Sequence, residues 1–158
     1  MTQQNAFQAL GFFMVAWSSL ETVLEVAIKK ELGVTDKMAE ITTSSLGFMS
    51  KSSILTSLLK LHDAKHESAI ALLNNIVGEA KRNAIVHGRI FMNPEGSITF
   101  VKSNVSNSYR AKKITFSSVE LNNHAAKLSS NTMQLQQLLN IDESELVAFA
   151  DIGLSHSA

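Results

Sequence analysis

Arg82 and His87 stand five residues apart at the end of an apolar stretch, with Asn83 beside the arginine and Gly88 directly after the histidine. Histidine gives and takes protons near neutral pH, and arginine carries a permanent forked cation that suits a phosphate. Cleavage of RNA by its own 2′-hydroxyl asks for these groups. It needs a base for the hydroxyl, an acid for the departing 5′-oxygen and positive charge on the phosphorus. One chain offers one such histidine and one such arginine. Two chains meeting across a two-fold axis offer two of each, in a composite cleft that needs no metal. The same residues also suit plain structure, because Arg and His in a last helical turn complement the dipole and a following Gly caps the helix.

The apolar spacing sets what must hold these groups. Ala69, Leu73, Ile76 and Ala80 predict a helix from about Glu67 to His87, and their spacing continues onto Asn83 and then His87. Arg82 then projects about 100° away from Asn83. Upstream, Ala6, Leu10, Phe13, Trp17, Leu20, Leu24 and Ala27 predict a first helix from about Thr2 to Leu32, stopped by Gly33. A short helix, Asp36 to about Thr42 with Asp36 as its cap, and a longer one from Phe48 to Leu61 follow. Ile54, Leu55, Leu58, Leu59 and Leu61 supply the buried side of the latter. After His87 the period changes. Arg89–Met92, the turn Asn93-Pro94-Glu95-Gly96 and Ser97–Lys102 predict a β-hairpin. A polar loop, Ser103–Ser108, leads to a third strand at Lys112–Phe116. Ser117 or Ser118 then caps a helix to about Asn140, with Leu121, Ala125, Leu128, Met133, Leu135 and Leu138 among its apolar positions, and Asp142–Ala150 forms a last short helix. The fold class expected is mainly α. It is a helical bundle of about four long helices, with a small β-hairpin or three-stranded insertion (residues 89–116) between the third and fourth. Residues 1–150 form one domain and 151–158 a tail.

The stretch Arg82-Asn83-Ala84-Ile85-Val86-His87 resembles the Arg-x4-6-His signature of the HEPN superfamily, whose motifs favour a polar residue after the arginine. Trp17-Ser18-Ser19-Leu20-Glu21 likewise looks like the first-helix pattern of some bacterial HEPN-like proteins. The resemblance implies a helical bundle that dimerises to bring two motifs together. It implies a metal-independent endoribonuclease leaving 2′,3′-cyclic phosphate and 5′-hydroxyl ends, with Arg82, Asn83 and His87 as its site and no cofactor. The setting it implies is a cytoplasmic bacterial or phage protein, a toxin or a phage-defence factor, with an antitoxin or regulatory protein as partner. The alternative is a HEPN-like dimeric module that binds protein, RNA or nucleotide without cutting. Glu21, on the apolar side of the first helix, is a candidate to orient Arg82, and Glu79, three residues before Arg82 on its own helix, competes for that role.

Charge distribution bears on the partner. Formal net charge is zero. Residues 1–80 carry six Lys/Arg against eight Asp/Glu, and residues 114–158 carry Lys127 against five acids. Between them, Lys81, Arg82, Arg89, Lys102, Arg110, Lys112 and Lys113 face Glu95 alone. Cations gathered around the motif suit a phosphate backbone, so these residues are the RNA-binding candidates; a solvated basic hairpin is the alternative. Phe91 and Phe100 can stack on bases or cover the core. The chain has no cysteine, which excludes disulfides, thiolate nucleophiles and Cys-based zinc sites. His62 and His66 have i, i+4 spacing but straddle a helix break, with only Asp63 as a further ligand, so no metal site is expected. The apolar run Ala9–Trp17 lacks a basic n-region and falls short of a membrane span, so it reads as a buried helix and no membrane partner is expected. There is no Gly-x-Ser-x-Gly elbow, phosphate loop or dinucleotide fingerprint.

Overall fold

The computed structural model describes residues 3–79, 85, 87–105 and 109–155. It is mainly helical with a small three-stranded antiparallel sheet. α1 (Gln3–Leu32) is the spine. Its buried residues include Ala6, Phe13, Trp17, Leu20, Leu24 and Ala27, whereas Leu10 is only partly covered. Lys29 and Lys30 occupy its last turn, where cations suit the dipole. Gly33 follows with φ +63°, a conformation that costs glycine nothing, and turns the chain. α1 is long and apolar enough by length and composition to cross a membrane, and half of its most apolar window is buried inside the protein.

α2 (Asp36–Thr43) is capped by Thr35, not by Asp36 as the sequence suggests. Thr35 has extended dihedrals and its hydroxyl accepts from the Met38 N–H at 3.4 Å. Asp36 already lies inside the first turn, and its carboxylate pairs with Lys29 of α1. α3 (Phe48–Leu59) buries Leu55 and Leu59 fully and Ile54 and Leu58 partly. It ends at Leu59, and Leu61, two residues beyond, is 77% exposed rather than part of the buried side. A 3-10 turn, Asp63–His66, leads into α4, whose described part is Glu67–Glu79 with Ala69, Leu73 and Ile76 buried.

Pairwise contacts fix the directions. Phe13 of α1 lies on His124, while Lys30, near the other end of α1, bonds Glu145 at 3.2 Å and the carbonyl of Asn140. The helix α5 (Ser118–Leu138) therefore runs parallel to α1. Trp17 meets Phe48 edge-on at 4.4 Å, Lys51 pairs with Glu25, and His62 reaches Glu31 at 3.0 Å, so α3 is parallel as well. α4 returns in the opposite sense, and its Glu79 meets Lys127, three residues beyond His124. The end of α4 thus arrives beside the N-terminal half of α1 and the start of α5.

The sheet is inserted at that end. β1 (Arg89–Met92), β2 (Ile98–Val105) and β3 (Tyr109–Phe116) pair in the order β1-β2-β3. The first turn closes through Asn93 N–H to Ser97 O and Gly96 N–H to Asn93 O, both 2.9 Å, with Gly96 at φ +82°. β2 and β3 are longer than their apolar pattern predicts, because Ser103–Val105 pair with Tyr109–Ala111 and extend the ladder into the polar run read as a loop. Ser117 caps α5 in a reciprocal capping box with Glu120. Met133 of that helix is 60% exposed rather than core, and Asn140, with φ 51°, turns the chain away after it. α6 (Glu143–Ser155) runs past the expected stop at Ala150, so the tail expected from Asp151 is helical to Ser155; Ile152 continues the Leu146–Phe149 spacing.

Candidate acid–base site and nucleic-acid interface

The motif's described residues are Ile85 and His87. Ile85 is helical and 1% exposed, which anchors this end of the chain in the core. His87 is exposed and lies in a turn two residues after the helical Ile85. Lys81, Arg82 and Asn83 lie outside the described residues. Glu21 is half-buried on the flank of α1's apolar stripe. Glu79, the competing support for Arg82, places its carboxylate on Lys127 of α5 at 2.6 Å. Both partners are about half exposed, so this bridge contributes less than about 1 kcal/mol.

Register decides where the predicted RNA-binding residues point. Side chains alternate along each strand, and directly paired residues share a face. The inner face begins with Met92, Ile98 and Phe116, continues with Phe100 and Ile114, and then turns basic with the pair Lys102↔Lys112 and with Arg110. The outer face has two rows. One reads Arg89–Val101–Lys113 and the other Phe91–Thr99–Thr115. Phe100 is fully buried and joins a column of rings running through Phe116 and His124 to Phe13, at centroid distances of 6.1, 6.0 and 5.6 Å. Phe91 is 52% exposed on the opposite face. Of the two aromatic candidates, one belongs to the core and one to the surface.

β1 starts at Arg89, paired with Val101, so β2 and β3 run on past it as a two-stranded ribbon toward the side from which His87 enters. Lys102, Arg110 and Lys112 sit on that ribbon. Lys102 and Lys112 are directly opposite, a placement that destabilises a strand pair unless an anion lies between them. Among the described residues, Arg89, Lys102, Arg110, Lys112 and Lys113 form no ion pair, whereas Lys29, Lys30, Lys51 and Lys127 of the helices each meet a carboxylate. Glu95, the acid of the hairpin turn, is held below its ordinary carboxylate range by a backbone hydrogen bond at its own turn and by the Ser97 hydroxyl, which donates at 2.8 Å.

Two histidines have roles that sequence reasoning did not assign. The His124 ring is stacked between Phe13 and Phe116, tying α1, α5 and β3 together. Its place three residues after Leu121 on the buried stripe was the available signal. His62 pairs with Glu31 across to α1 and meets His66 edge to face at 6.1 Å, a contact geometry of packed rings. Comparison of the chain with protein-family models, curated proteins and solved structures returns no match.

Proposed function

We propose that this chain is a metal-independent endoribonuclease of the HEPN kind, a single domain built as a bundle of about four long helices and acting as a homodimer. The observation that carries the proposal is the exposed His87 at the head of a sheet bearing five unpaired cations among the described residues. In the composite cleft, His87 of one protomer takes the proton of the RNA 2′-hydroxyl. That oxygen attacks the adjacent phosphorus and closes a 2′,3′-cyclic phosphate. The second His87 protonates the 5′-oxygen as its bond to phosphorus breaks. Arg82 from each chain neutralises the charge that builds on the phosphoryl oxygens, and Asn83 positions one of these groups. Glu21 acts through Arg82 by orienting it. Lys81, Arg89, Lys102, Arg110, Lys112 and Lys113 hold the flanking backbone.

The two-fold contact finds support on α1. The first twenty residues carry no charge, and Phe7, Phe12, Met14 and Val15 are exposed there, beside the motif end of the bundle. An uncharged apolar face is self-complementary and needs covering. The same observation favours the second reading, a HEPN-like dimeric module that binds protein, RNA or nucleotide without cutting. The setting proposed is a cytoplasmic toxin or phage-defence factor restrained by an antitoxin or regulatory protein. Induced expression separates the two readings. Growth arrest by wild type, relieved in both Arg82→Ala and His87→Ala, supports the nuclease. Equal tolerance of all three proteins, with dimers lost in the variants by light scattering, supports the module.

A further inference from the structure

We propose that the outer face of the sheet is a binding platform for single-stranded RNA, with Phe91 stacking one base and Arg89 and Lys113 holding the phosphates beside it. The inference rests on the RNA reading above and adds a base-stacking subsite on the sheet face that begins two residues after His87.

The register builds the platform. Arg89, Val101 and Lys113 occupy one row across the three strands, so the two cations stand about 10 Å apart with an apolar residue between them. The adjacent row, about 7 Å along the strands, begins with Phe91. Phe91 is on the edge strand and 52% exposed, while the hairpin's other aromatic, Phe100, is fully buried on the inner face. An exposed phenyl ring is not needed for the core here.

The rest of its row is fixed. Thr99 shares a 2.9 Å hydroxyl contact with Thr115 and accepts from the Asn93 side-chain amide at 3.0 Å, and that amide also donates to Ser97 at 2.6 Å. This network pins the turn and the backbone under Phe91, and it leaves the exposed Thr115 beside the cations. Neither Arg89 nor Lys113 meets a carboxylate among the described residues, unlike four of the lysines in the helical body.

A sheet face with an exposed ring and flanking cations that meet no carboxylate among the described residues matches a single strand, whose bases are free to stack. A duplex hides those faces. A second copy of this chain would set Arg89 and Lys113 against identical cations or against a surface of other chemistry, so RNA is the occupant the charges favour.

The test is fluorescence anisotropy with a short 5′-labelled single-stranded RNA of mixed sequence, using the full chain carrying His87→Ala so that the probe stays intact. Phe91→Ala is expected to weaken binding about tenfold, and Phe91→Trp to preserve it. Joint replacement of Arg89 and Lys113 by Gln is expected to lower the salt slope by about 1.4, at about 0.7 per phosphate on a single strand. Duplex RNA of the same sequence should bind more weakly and be indifferent to Phe91→Ala. Unchanged affinity in Phe91→Ala would overturn the platform, as would loss of dimer without loss of RNA affinity. Cleavage by the wild-type chain is read separately. Cleavage with no Phe91 effect leaves the nuclease standing and removes the platform. Phe91-dependent binding without cleavage does the reverse.

Discussion

Lys51 of α3 and Glu25 of α1 form the ion pair best shielded from water among the described residues, with side chains 7% and 18% exposed. Removing Lys51 leaves the Glu25 carboxylate near-buried without its cation, and losing one partner of a buried pair costs about 3–5 kcal/mol. Because Glu25 keeps a little solvent, Lys51→Met should fall near the lower end, about 3 kcal/mol. For a chain of this length that is a fall in melting temperature of roughly 6–12 °C. The double variant Lys51→Met/Glu25→Gln carries no stranded charge and should recover at least about half of the loss. Urea denaturation of wild type, both single variants and the double variant, at neutral pH, gives the coupling directly from midpoints at constant m. A Lys51→Met midpoint within error of wild type would refute the reasoning. It would mean that the carboxylate finds water or another donor and that the α1–α3 contact is held by apolar packing alone.

The two hairpin phenylalanines should part in stability as they do in position. Phe100→Ala is expected to cost about 3–5 kcal/mol and Phe91→Ala within about 1 kcal/mol, read by the same denaturation. Ser117→Ala removes the oxygen that accepts from the Glu120 N–H at 3.1 Å and should cost about 1 kcal/mol, with helicity lost from α5 by circular dichroism. Acid stability follows from three carboxylates held below their ordinary value of 4.5. Backbone hydrogen bonds are the leading cause in each: at its own turn for Glu95, from Ser117 for Glu120 and from Asp142 for Glu145. Their folded values are depressed, so their contribution is complete above about pH 4.5 and is lost as pH falls through those lower values. The urea midpoint should hold from pH 7 to about 5 and drop below 4.5, with a shallower drop in Glu120→Gln. Finally, Val15→Glu places a charge on the uncharged face of α1 and should shift the mass found by light scattering from dimer to monomer.

The helices were legible because their buried stripes repeat at helical spacing, and Phe13, Trp17, Leu20 and Leu24 of α1 need no tertiary information to be recognised. Ends were less so. Thr35 and Asp36 are both good caps in isolation, and only the Lys29 ion pair shows which one enters the helix. The extension of β2 through Ser103–Val105 and of β3 from Tyr109 to Ala111 was hidden because this mostly polar stretch shows no apolar alternation to read. In the candidate site, the gathering of cations after His87 was plain from the sequence. Their division between two faces was not, since a one-residue slip of β1 against β2 moves Arg89 to the side of Lys102, and a slip of β3 exchanges Lys112 and Lys113 between the faces. His124 escaped for a different reason. Its neighbours are Phe13 and Phe116, and Phe13 lies more than a hundred residues away on another helix.

The central claim is that His87 carries acid–base chemistry on RNA without a metal. Purified wild type and His87→Ala should be incubated with end-labelled, mixed-sequence RNA in excess chelator, and the product ends identified. Cleavage by wild type alone, leaving 2′,3′-cyclic phosphate and 5′-hydroxyl ends, is the predicted result. Intact RNA with wild type, or equal cleavage by His87→Ala, would contradict it.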